Sequence, residues 1–150
     1  MIFEDRFTVK APIEQVWVFL RDPQQVAQCI PGTERVDVVD DTHYRVVAGA
    51  RVSFLSLTFA LNVTLTEIDE PRRLVSTAEG MDGRLKERVK LSSALTLEPL
   101  GPDATEVGYR IELTVFGKLA SLGFSVIRGK AGQMAADFAT AIRTRLEAAP

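Results

Sequence analysis

One cysteine, Cys29, and one histidine, His43, are all that the chain has of either residue. A lone cysteine cannot close an internal disulfide, and one of each cannot build the clustered ligand sets of a zinc or iron site. Gly-rich phosphate loops and Gly-x-Ser-x-Gly nucleophile turns are absent as well. No stretch approaches the roughly 18 charge-free apolar residues of a membrane span, so any membrane contact is expected to be peripheral. The opening "MIFEDRF" lacks the basic region and apolar run of a secretory signal, which makes the cytoplasm, or the inner face of the membrane, the expected location. Neither sign of charge dominates: 18 Lys and Arg stand against 20 Asp and Glu. Such a chain has no global field to attract a phosphate backbone, and nucleic acid is not an expected partner. The balance is uneven, however. Residues 1–117 carry 13 basic and 18 acidic groups, and residues 118–150 carry five and two.

What is present is enough for one core. With 46% hydrophobic and 25% charged residues over 150 positions, a single domain spanning 1–150 is expected, burying roughly 70% of its unfolded surface. Leu55, Leu57, Phe59, Leu61, Val63 and Leu65 alternate with small polar residues, the period of a strand with one buried face. The alternation returns at Val107, Tyr109, Ile111, Leu113 and Val115, and again at Leu85, Val89, Leu91, Leu95 and Leu97. Asp82-Gly83 suits a tight hairpin turn, while Asp40-Asp41 and "LGPDA" separate other apolar runs. An antiparallel meander over about residues 33–117 follows, preceded by a strand with Phe3, Phe7 and Val9 on one face.

Helices flank the meander. After Pro12, the residues Ile13, Val16, Trp17 and Leu20 keep helical spacing, and Asp22-Pro23 caps and opens a second short helix. In "IPG", Ile30 is pushed toward extended geometry by Pro31 and Gly32 tolerates positive φ, so the motif turns that helix into the next strand. Cys29 beside it reads as a small buried hydrophobe; as a nucleophile it lacks a base. From about 118 to 148 a long helix is expected, with Ile127, Ala131, Met134, Phe138 and Ile142 as its apolar stripe and Phe124 beside it. A sheet with one apolar face is its natural partner, which gives an α+β fold with a curved sheet wrapped around a helix.

This order of elements resembles the helix-grip fold of the START/polyketide cyclase superfamily: about seven antiparallel strands, two short helices after the first strand, and a long C-terminal helix. Within it, "APIEQVWVFLRDPQQVAQCIPG" (11–32), "LTEIDEPRRL" (65–74) and "TVFGKLASLG" (114–123) are similar to the family of the carbon monoxide dehydrogenase G subunit. Ser53 stands where that family often has glycine. Some members continue through an Ala/Pro-rich linker to an apolar anchor, whereas this sequence stops at "EAAP". The resemblance implies an accessory protein without a cofactor of its own, serving maturation or membrane recruitment of a molybdenum hydroxylase on a fold suited to holding an apolar molecule.

The residues give candidate sites of their own. Phe59, Leu61, Leu91, Tyr109 and Ile111 are expected to face Ala131, Met134, Phe138 and Ile127 across the sheet–helix space, with Phe124 at its edge, where small helix residues leave room for a lipid or an isoprenoid quinone. Glu87 falls in the inward register, as does Asp5. Each either fixes a polar head or moves a proton, or lies at a bulge that lets it reach water or an arginine. Arg84, Lys86, Arg88 and Lys90 form an outward basic row, a docking face or merely a solvated one. Leu119, Leu122 and Val126 point away from the expected stripe and read as a gate or docking surface, unless a bend at Gly123 or Gly129 rephases the helix and buries them. An enzyme of the cyclase or dehydratase type, with Glu87 or Asp5 as acid–base and Tyr109 as anchor, is the alternative. It requires several polar side chains to converge inside the cavity.

Overall fold

The computed structural model of the protein describes residues 1–147; the end of the expected helix and of the tail, "AAP", lies outside the described residues. Strand β1 (Ile2–Val9) leads into helices α1 (Ile13–Arg21) and α2 (Pro23–Cys29). Six strands follow: β2 (Thr33–Asp40), β3 (His43–Val52), β4 (Leu55–Asp69), β5 (Arg73–Asp82), β6 (Arg88–Gly101) and β7 (Ala104–Val115). Helices α3 (Gly117–Ser121) and α4 (Phe124–Glu147) close the described chain. The sheet has seven strands in the order β1-β7-β6-β5-β4-β3-β2, every pair antiparallel. This is the helix-grip arrangement.

Local chemistry explains the joints. Asp22 caps α2 by accepting a hydrogen bond from the Gln24 N–H at 3.0 Å. Ile30 is extended (φ −98°, ψ 115°) and Gly32 takes φ 86°, so the "IPG" segment turns as its residue types dictate. The Gly49 N–H donates to the Gly32 carbonyl oxygen at 2.7 Å, which holds the two backbones so close that a side chain on Gly32 would collide with the Gly49 carbonyl oxygen. Cys29 is buried against the α1–α2 core, and burial raises its thiol pKa, with Arg145 opposing more weakly. It is a core residue, not an activated nucleophile.

Two elements depart from expectation. Asp82-Gly83 is no tight turn: Met81 pairs with Arg88, and the longer 82–87 loop opens on Asp82, the last residue of β5. The Asp82 carboxylate organises it, accepting from Thr58 N–H at 2.6 Å, from Arg84 N–H at 3.0 Å and from Leu85 N–H. Leu85 therefore belongs to the loop and not to a strand. The terminal helix is also not continuous. Gly123 at φ 94° breaks it after α3, and α4 restarts at Phe124.

The interior divides in two. One core joins α1, Phe7, Val9, Leu74, Leu97 and Val107 to Ile142 and Leu146 at the end of α4. The other gathers Val52, Leu55, Leu57, Phe59 and Val89 around Leu119 of α3. Successive ladder pairs place the first at the end of the sheet bearing the 40–42, 69–72 and 101–103 turns, and the second at the opposite, β3–β4 hairpin end.

Candidate functional site

The concave face is read from the ladders, because residues directly opposite in antiparallel pairs share a face. Val63, Ala78, Leu91 and Leu113 form one row across β4 to β7. Ser76, Ser93, Ile111 and Phe3 form the next, and Leu74, Leu95, Tyr109 and Asp5 the one after it. Leu91, Ile111 and Leu113 are half-buried and belong to neither core. The small side chains of Ala78, Ser76 and Ser93 lower the floor between them. Gly80 has to be glycine for another reason: a Cβ there would strike the Ala60 carbonyl oxygen of β4. Opposite this floor, α4 presents Ala131, Met134, Ala135 and Phe138, all half-buried. The result is an open apolar cleft between two packed ends.

The expected lining residues divide accordingly. Leu61, Leu91, Tyr109 and Ile111 are half-buried on the concave face, while Phe59 is buried in the second core and Ile127 is buried on the helix. Phe124 is a correction. It is 52% exposed beneath the Arg128 guanidinium, 5.6 Å from its ring, because the break at Gly123 turns it outward. Tyr109 has its pKa raised, by burial first and by the Asp5 charge second, so its phenol stays protonated. With Ser76 and Ser93 it supplies hydroxyls to an otherwise apolar surface.

Glu87 meets neither expected partner, water nor arginine. It is 5% exposed, and its Oε2 accepts from the Leu119 N–H at 3.3 Å, satisfying an otherwise orphan donor in the first turn of α3. Gly117, at φ 66°, lies so close that a Cβ would collide with this carboxylate. Asp5 sits beside Tyr109, six residues and about 20 Å of strand below Val115, and Glu87 lies beyond that level. The two carboxylates therefore do not converge: Asp5 lies beside Tyr109, and Glu87 is engaged by α3 at the other end of the sheet. Among the described residues, no group of three or more His, Cys, Asp or Glu is placed to hold a metal ion.

The basic row and the gate are corrected as well. Arg84 and Lys86 lie in the 82–87 loop, Lys86 with φ 60°; only Arg88 and Lys90 lie on β6. Lys90 faces Glu79 across the ladder, and Arg88 stacks on Phe116 at 5.3 Å. Leu119 is 4% exposed inside the second core, and Leu122 packs against it; only Val126, at 41%, remains outside. The bend at Gly123 thus buries α3 without burying the start of α4. No helix is long and apolar enough to cross a membrane among the described residues.

Sequence reasoning missed Ser76, Ala78, Ser93 and Phe3 as parts of the cleft. In "LVSTAEGMD" the inward positions after Leu74 are small or polar, so no hydrophobic alternation marks β5; only its pairing with β4 and β6 shows which side faces in.

The family model for the carbon monoxide dehydrogenase G subunit (CoxG) matches residues 6–147. Among solved structures, the chain is similar to a conserved protein from Geobacillus kaustophilus, at 21% identity and TM-score 0.89, covering 98% of this chain and 95% of that one. It is also similar to a START superfamily protein from Mycobacterium smegmatis (16% identity, TM-score 0.73, 97% of each chain). The Zhui aromatase/cyclase from Streptomyces sp. R1128 is a third (17% identity, TM-score 0.70, 98% and 93% covered). At such identities the likeness shows the shared fold. No curated protein matches the chain.

Proposed function

The chain belongs to the CoxG family, that of the carbon monoxide dehydrogenase G subunit, and from that premise we propose a non-catalytic accessory protein that holds an apolar ligand in the cleft between the sheet and α4. The ligand is a lipid or an isoprenoid quinone, and the carrier serves maturation or membrane recruitment of a molybdenum hydroxylase. The observation that carries this reading is the half-buried strip of Leu91, Ile111 and Leu113, which neither core absorbs. Interiors normally close-pack, so an apolar strip left partly open between two packed ends favours an occupant. Facing it, Ala131 and Ala135 leave the helix side short of bulk.

Native mass spectrometry of the purified protein, with solvent extraction of what it carries, tests the reading. An apolar adduct, or saturable uptake of lipid or quinone, is the expected result. Replacing Leu91 and Ile111 by serine should weaken that uptake. A protein that neither retains nor takes up any apolar molecule overturns the proposal. For the partner, co-purification with a molybdenum hydroxylase is expected, and its absence in a strain producing both proteins would count against that half alone.

A further inference from the structure

At the β3–β4 hairpin end of the cleft lies an opening of about 480 Å3, within the size range of small-molecule sites. Leu57 and Ala50 form its sheet wall and Met134 its helix wall, so it shares surfaces with the second core and with the α4 stripe. Gly32 and Gly49, which have no side chains, form part of the lining. Cations also line it: Arg84 from the 82–87 loop and Lys130 from α4, with Arg51 of β3 at its border, paired with Ser56 in the outward register of the ladder. Arg84 and Lys130 come from separate elements and border one opening.

None of these cations takes part in an ion pair among the described residues. Arg84 donates only a long hydrogen bond, 3.4 Å, to the Ser56 carbonyl oxygen. The carboxylates nearby are otherwise engaged or lie at the rim. Glu87 is turned to the Leu119 N–H, and Asp82 is occupied by three backbone N–H groups. Glu34 stands at the rim beside Gly49. Asp82 and Glu34 offset part of this charge, but neither forms an ion pair with Arg84 or Lys130 among the described residues. Unpaired cations next to an apolar wall match a ligand with an acidic head and an apolar chain.

We infer that this opening is a head-group site for an anionic amphiphile, in which Arg84 and Lys130 hold a phosphate or carboxylate while the chain runs past Leu57 and Met134 into the cleft. The inference rests on the reading of the cleft as an apolar-ligand site and narrows it, favouring an acidic lipid over a neutral quinone.

Calorimetric titration of the delipidated protein with four probes tests it: tetradecyl phosphate, tetradecanoate, tetradecanol and inorganic phosphate. The two acids are expected to bind at least about tenfold more tightly than the alcohol, the gain of one charged hydrogen bond. Arg84→Gln and Lys130→Gln should each reduce binding of the acids while leaving the alcohol unchanged, and Arg84→Lys should keep part of the preference. Both positions are exposed or half-buried, so these variants retain the fold. Equal binding of acid and alcohol overturns the head-group site and leaves the apolar cleft standing. Binding of neither overturns both. Inorganic phosphate binding as tightly as tetradecyl phosphate assigns the opening to a free anion and overturns the amphiphile.

Discussion

Ser53 holds a left-handed backbone, φ 56°, at the β3–β4 turn, where an L-residue is strained by roughly 1–2 kcal/mol. Glycine relieves that strain but adds freedom to the unfolded chain, so Ser53→Gly is expected to raise stability by about 0.5–1 kcal/mol. A denaturant midpoint that does not rise would mean the turn holds serine at no cost. Asp82 acts at the same scale through charge. Its pKa is lowered, chiefly by the Thr58 and Leu85 N–H groups, with Arg84 helping and burial opposing. A carboxylate whose folded pKa lies below its unfolded value stabilises the fold above the unfolded pKa, near 3.8, and loses that contribution as pH falls through the folded value. Asp82→Asn should therefore be less stable than the parent near neutrality, and the gap should narrow in acid. Unfolding curves at neutral pH and below pH 3.8 check this; a gap independent of pH would point to the loss of hydrogen-bond geometry alone.

At the scale of elements, the 82–87 loop and α3 are joined by the Glu87 carboxylate accepting from the Leu119 N–H and by Leu85 packing in the same core as Leu119. Gly117→Ala places a methyl group against that carboxylate at positive φ, and a cost of about 1–3 kcal/mol is expected. Amides of residues 117–121 should exchange faster in that variant; unchanged exchange would show that the carboxylate moves aside freely. The corrected placement of the α3 leucine gives a paired test. Leu119→Ala should cost about 2–5 kcal/mol as a core deletion, whereas Val126→Ser should stay within about 0.5 kcal/mol. Equal costs in thermal unfolding would contradict the divided helix. How much of this is legible in the sequence depends on where the information lies. β4, β7 and α1 are legible because their apolar residues keep strict period, and the "IPG" turn because proline and glycine restrict the backbone locally. The 82–87 loop is not, because Leu85 continues an alternation that Asp82 interrupts by accepting from the Arg84 and Leu85 N–H groups and from Thr58, distant in sequence. Glu87 is buried in the loop just before β6, and its partner, a backbone N–H on α3, has no sequence signature. The half-buried floor around Ser76 and Ser93 depends on pairing across three strands and cannot be read from β5 itself.

For the molecule as a whole, the two ends of α4 are anchored unequally. Ile142 and Leu146 are buried near its end, and Arg143 donates to the Thr8 carbonyl oxygen at 2.9 Å while lying over Phe7. Toward its start, Ile127 is the buried residue, and neither Gly129 nor Gly132 has anything within 4 Å of the position a Cβ would take. Amide exchange along α4 should accordingly be fastest over residues 124–134 and slowest over 138–146; uniform protection would contradict the unequal anchoring. Mechanically, α4 is a cantilever, clamped at the α1 end and lightly supported over the cleft. A beam held this way is expected to move more toward its lightly held start, where Ile127 and the Gly123 joint to buried α3 retain it, so a tilt at the clamp would widen or narrow the passage beneath Lys130 and Met134.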